Sequence, residues 1–117
     1  MDGFIAATAE LQFLAQGGLQ QEPFSGMRPA FESQSGLVSC VVCFPQTANL
    51  KKGHSLMGVV ALDHRIDPDN LRFGREFRLN LASKIIAHGV VTGEAISIGR
   101  SYADIQALAD LLESTKK

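Results

Sequence analysis

The sequence predicts a mainly β protein with a single helix at its C-terminal end. Three observations predict it. Residues 4–14 alternate apolar and polar side chains with a period of two. Further apolar, β-branched runs follow at short intervals, separated by Gly, Pro, Asn, Asp and Ser. Only beyond residue 100 does the period become that of a helix. Six or so strands on short turns, with no helix among them, imply an antiparallel barrel or sandwich.

In residues 4–14, Ile5, Ala7, Ala9, Leu11 and Phe13 share one face, and Thr8, Glu10 and Gln12 share the other. This is a strand with one wet side. Residues 16–23 are polar, contain Gly17 and Gly18, and read as a loop. Residues 27–32 form a short second strand. Arg28 precedes a proline, which pushes its backbone to the extended region. Pro29 has no N–H for a ladder, so an edge or a bulge is expected there. Residues 33–36 are a turn, and 37–44 a third strand. A polar connection ends in Lys51-Lys52-Gly53, and residues 55–62 are an almost wholly apolar, buried fourth strand.

Residues 63–70 read as a loop carrying Asp67, Pro68 and Asp69. In residues 76–81, Phe77, Leu79 and Leu81 point inward and Glu76, Arg78 and Asn80 outward. Ala82-Ser83 is a tight connection to a long last strand over 85–98. Gly89 and Gly93 within it predict a bend or a close backbone approach. The helix covers 102–114. Ser101 caps it, Asp104 takes the capping-box position, and Ile105, Leu108, Ala109 and Leu112 form its apolar face. Lys116 and Lys117 follow its end, where positive charge suits the helix dipole. A helix this short is marginal alone, so docking on its own barrel is expected ahead of docking on a second subunit.

The chain of 117 residues suits one domain over 1–117. At 45% hydrophobic it can bury a core, and no apolar run is long enough to span a bilayer. An acid, Asp2, stands where a leader peptide would carry positive charge, so a soluble, cytoplasmic protein is expected. A net charge of −1 argues against sequence-independent nucleic-acid binding, though not against a small basic patch. Cys40 and Cys43 spell C-V-V-C inside the expected third strand, where residues three apart face opposite sides. Their Cα atoms would lie about 10 Å apart, too far for a disulfide. Two reduced, packed cysteines are expected.

Chemistry-bearing motifs are missing. The sequence has no phosphate loop, no H-E-x-x-H pair and no G-x-S-x-G elbow. His54, His64 and His88 are 10 and 24 residues apart, which fits no helical metal pair. Asp63, Asp67 and Asp69 lack the spacing and distal Glu of a calcium loop. The expectation is no enzyme, no metal and no cofactor.

Two blocks carry a resemblance. Residues 9–32 read AELQFLAQGG…EPFSGMRPAFE, and residues 74–91 read GREFRLNLASKIIAHGVV. The chain resembles the C-terminal β-barrel domain of elongation factor Tu. That domain opens on an A-E-V/I strand and continues through P-F-x-x-G-Y-R-P-Q-F. Pro23, Phe24, Gly26, Arg28, Pro29 and Phe31 match it in order; Met27 and Ala30 depart. The second block is similar to G-M-R-F-A-I-R-E-G-G-R-T-V-G-A-G-V-V. Gly74, Phe77, Gly89, Val90 and Val91 match, and Lys84 stands at an arginine. The resemblance implies a closed six-stranded antiparallel barrel over residues 4–99, with the helix as an addition.

In the family this domain helps hold tRNA and meets partner proteins. The GTPase domain has no counterpart here, so guanine nucleotide binding is not implied. The family's R-E-G-G turn becomes Asn80-Leu81-Ala82-Ser83, and Asp67 and Asp69 stand near a tRNA-touching lysine's place. What remains are barrel-shaping residues: Pro23, Gly26, Pro29, Phe31, Gly74, Phe77 and Gly89, with Phe24 a further packing residue. The expected function is a non-catalytic binding module for a protein partner, translation-related by resemblance. A tRNA-binding accessory is the alternative, with Arg28, Lys51, Lys52 and Lys84 as its candidate contacts. No membrane partner is expected, and the helix offers a route to a homo-oligomer. Arg28 is expected to serve the fold by pairing with Glu10 or Glu32.

Overall fold

A computed structural model describes the backbone of residues 3–18 and 21–114. Lys116 and Lys117 lie outside the described residues. The strands are β1 (Phe4–Phe13), β2 (Ala30–Ser33), β3 (Gly36–Cys43), β4 (Ser55–Asp63), β5 (Glu76–Leu81), β6 (Lys84–Val91) and β7 (Ile96–Ile98); α1 (Tyr102–Ser114) follows. Neighbours run β4-β3-β2-β5-β6-β1, and β1 pairs back onto β4, so six antiparallel strands close a barrel. β7 is an extra strand on β1.

The barrel is closed by apolar side chains that alternate inward. Leu11, Phe13, Phe31, Val60, Leu79 and Ile86 are all buried inside it. The Phe31 and Phe77 rings lie 4.8 Å apart, centroid to centroid. Side chains of this size contribute about 1.5–3 kcal/mol each on burial. A second apolar cluster lies on the outside of the wall. There Ala6, Val41, Cys43, Val59 and Ala61 meet Ile105 and Ala109 of α1. Both faces of β1, β3 and β4 are therefore covered where the helix lies. β1 is wet on its outer face at Glu10 and Gln12 but not at Ala6. Ser101 caps α1, its Oγ accepting from the Ala103 N–H at 3.1 Å.

Several sequence expectations shift. The second strand begins at Ala30 rather than at residue 27, because Met27 makes only an isolated bridge to Val42. Pro29 precedes a strand that lies inside the barrel wall, not at an edge; its carbonyl accepts from the Cys40 N–H at 3.1 Å. The long last strand splits into β6 and β7 around residues 92–95. Within the expected loop at 63–70, residues Pro68–Leu71 form a 3-10 turn, with the Asp67 side chain accepting from the Asp69 N–H. Leu81 has the inward parity but sits at the hairpin end and is 47% exposed. Phe24 is also outward, at 49% exposed.

Candidate functional site

The four cationic candidates do not converge. Lys51 and Lys52 lie in the β3–β4 connection, and Lys84 opens β6. Both places sit at the Phe13 end of β1, since Gly53 bonds the Phe13 carbonyl and Phe13 pairs with Ala87. Arg28 lies elsewhere. It borders a cavity of about 210 Å³ with Phe4, Ser39, Val41, Ala61 and Asp63. The Asp63 carboxylate is taken by Arg65 at 2.9 Å, which holds its pKa down to about 2. Among the described residues Arg28 makes no ion pair. Its expected partner Glu32 is held instead by Arg78.

A different constellation is assembled on the outer wall of β2, β5, β6 and β1. Register puts Gln12 opposite His88 and His88 opposite Arg78. The next row carries Glu10, Val90 and Glu76. Directly opposed residues share a face, so these side chains form two adjacent outward rows. Arg78 Nε donates to Glu32 Oε1 at 3.0 Å, and Asn80 donates to Glu32 Oε2 at 3.3 Å. The Arg78 bond, with Arg75 and Asn80 nearby, holds the Glu32 carboxyl below its ordinary value. Arg75 is committed to backbone: it donates to the Asn70 carbonyl at 3.1 Å and the Glu32 carbonyl at 3.3 Å. Its guanidinium lies 5.5 Å from the Phe31 ring centroid.

Two clefts follow these rows. One, of about 350 Å³, is bordered by Glu32, Arg75, Arg78 and His88. The other, of about 290 Å³, is bordered by Glu10, Gln12, Ser55 and His88. Glu76, His88 and Gly89 belong to both, so the clefts join into one groove. Gly89 is the close approach expected from the sequence: a Cβ there would collide with the Phe77 ring and with Leu11. The filled barrel interior requires glycine at this point.

The Pro23–Phe31 stretch serves another end. Gly26 adopts φ +90°, and a Cβ on it would meet the Tyr102 ring at 2.8 Å. Ser25 Oγ accepts from the Phe44 N–H at 2.8 Å and donates to Gln106 Oε1 at 2.6 Å. Gln106 Oε1 also accepts from Tyr102, while its Nε2 donates to the Phe44 carbonyl and to Asp110. Asp110 in turn accepts from the Gln46 N–H at 3.1 Å. This network fastens α1 to the barrel. Nothing in the sequence marked Gln106 or Asp110 as docking residues.

Cys40 faces the barrel interior and Cys43 the underside of α1, and both are free thiols. Burial pushes the Cys40 thiol up to about 12 and raises that of Cys43. Among the described residues no group of three or more His, Cys, Asp or Glu is placed to hold a metal. Among them, too, no helix is long and apolar enough to cross a membrane. No family model and no curated protein matches the chain.

Proposed function

We propose that the chain is a non-catalytic protein-binding module, built on a barrel like the C-terminal barrel of elongation factor Tu. The observation that carries this reading is the joined groove of mixed charge on the outer wall. Glu10, Glu76 and Glu32 alternate there with Arg78, Gln12 and His88. Protein interfaces combine polar and charged rims with a small apolar centre, and Val90 lies between the two free acids. Phosphate fits this wall poorly. Its two arginines are engaged by Glu32 and by backbone carbonyls, and the exposed carboxylates repel it. The likeness to the elongation factor is supported by the barrel itself and by where the two quoted blocks fall. The first runs along β1 and into β2; the second spans the β5–β6 hairpin.

The test is affinity capture from cytosol with the wild-type chain and with the E10K/E76K variant. A partner retained by wild type and lost by the variant supports the reading. Recovery of the same proteins by both contradicts it. A second reading, a tRNA-binding accessory, has one observation in its favour: Lys51, Lys52 and Lys84 share one end of the barrel.

A further inference from the structure

The cavity that Arg28 borders lies on the outer wall, away from the groove. Met27 bridges Val42 and Ala30 pairs with Ser39, so Arg28 stands opposite Val41. Val41 pairs in turn with Ala61, and Asp63 of the same strand pairs with Phe4. Directly opposed residues, and residues two apart on a strand, share a face. Arg28, Ser39, Val41, Ala61, Asp63 and Phe4 therefore border one space of about 210 Å³. Its floor is apolar. Val41 and Ala61 belong to the outer cluster on which α1 lies, and Phe4 packs against that cluster. Its polar groups differ in what they hold. Asp63 is already engaged: its carboxylate accepts from the Arg65 backbone N–H and Nε at 2.9 Å each, and from Nη2 at 3.2 Å. Arg28 and Ser39 are exposed, and among the described residues their side chains have no hydrogen-bond or ionic partner. An uncommitted guanidinium and an uncommitted hydroxyl thus stand beside an apolar floor.

We propose that this cavity takes the C-terminal residue of a partner protein, one with an apolar side chain and a free α-carboxylate. Charge selects the carboxylate. The planar fork of Arg28 matches two carboxylate oxygens, and the Ser39 hydroxyl is a further donor beside it. The floor selects the apolar side chain, since Phe4, Val41 and Ala61 leave water only by contact with one. Inorganic phosphate would meet the arginine but leave that floor wet. Size selects a chain terminus. Pockets that enclose a free ligand hold about 300–1,000 Å³. At about 210 Å³ and with an exposed mouth, this one accommodates a single residue whose chain continues along the wall. Capture of a C-terminal carboxylate is a recurrent mode of peptide recognition. The inference does not rest on the groove, which lies toward the other end of β1 at Glu10 and Gln12.

Amide NMR of the full chain, titrated with the acetylated peptide Ala-Ala-Ala-Leu, tests it. The expected result is saturable shifts at Arg28, Ser39, Val41 and Ala61. The same peptide with an amidated C-terminus binds about tenfold or more weakly, because a charge-assisted hydrogen bond is lost. Arg28→Gln weakens the free-acid peptide to the same degree. Ser39→Glu, at an exposed position, abolishes its binding by setting a carboxylate beside Arg28. Both variants keep the melting temperature of wild type, and E10K/E76K leaves binding intact. Isocaproate, which has the leucine side chain and a carboxylate but no peptide, binds more weakly than the peptide. No shifts at these four residues, or equal binding of acid and amide, overturns the proposal. Isocaproate binding as tightly as the peptide overturns the assignment to a chain terminus. If Arg28→Gln fails to fold, Ser39→Glu gives the same decision.

Discussion

Gln106 uses both of its N–H groups and accepts twice on its carbonyl oxygen, all in a buried place between helix and barrel. Removing it takes the Nε2 donor from the Phe44 carbonyl and the Oε1 acceptor from the Ser25 hydroxyl, which are left with each other at 3.2 Å. Gln106→Ala is expected to lower stability by about 1–3 kcal/mol, read by urea unfolding, since two hydrogen bonds between helix and barrel are lost at about 0.5–1.5 kcal/mol each. Gly89→Ala should cost a similar amount, about 1–3 kcal/mol, by forcing the Phe77 ring aside. Glu32 supplies a pH test. Its folded pKa lies below the ordinary 4.5, so its contribution is present above that value. It is lost as pH falls through the folded value. Across that acid range the melting temperature of wild type should fall more steeply than that of Glu32→Gln. Parallel curves would show that the Arg78 pair adds nothing to folding. Gly89 was legible in the sequence as a close backbone approach; the roles of Gln106 and Glu32 were not. Gln106 and Glu32 look like ordinary polar positions until register and docking bring their partners, 62 and 46 residues away, into reach.

The β5–β6 hairpin turns on Ala82 and Ser83, whose φ angles are 51° and 67°. Both lie in the left-handed region, as a two-residue hairpin loop of this kind requires. Neither residue is suited to it, at about 1–2 kcal/mol per position. Ala82→Asn with Ser83→Gly should therefore raise the melting temperature; a fall would mean the turn is held by something other than its own backbone. The strands were legible because a period of two survives in short apolar runs. The break between β6 and β7, at Thr92-Gly93-Glu94-Ala95, was passed over because apolar runs flank it on both sides. What divides the two strands is tertiary: Thr92 donates to the Thr8 carbonyl, and Gly93 lies against the Thr8 side chain. The helix was legible from Ser101 and its apolar spacing, and its docking on the barrel follows from its length. The two cysteines report on that docking. Ile105→Asp should release α1 and let a thiol reagent label Cys43 well before Cys40, which the closed barrel still covers. Equal labelling of both would mean the barrel itself had opened.

Taken whole, the molecule has one wall closed by a helix and another left polar and grooved. The first could be anticipated from the amphipathic C-terminal stretch. The second could be read only residue by residue, as Glu10, Gln12, Glu76 and Arg78 pointing outward, and His88 not at all. Their alignment into two rows needs the pairing of β1, β5 and β6, which no local pattern encodes. The basic candidates drawn from the sequence fall outside that groove. A protein partner and an RNA partner therefore call on different parts of the surface, and charge separates them. Filter binding of tRNA in about 50 mM and about 200 mM salt puts the question directly. The protein-binding account predicts no saturable retention at micromolar concentrations of the chain in either salt. Saturable retention that fades at the higher salt and vanishes in a K51E/K52E/K84E variant would contradict it.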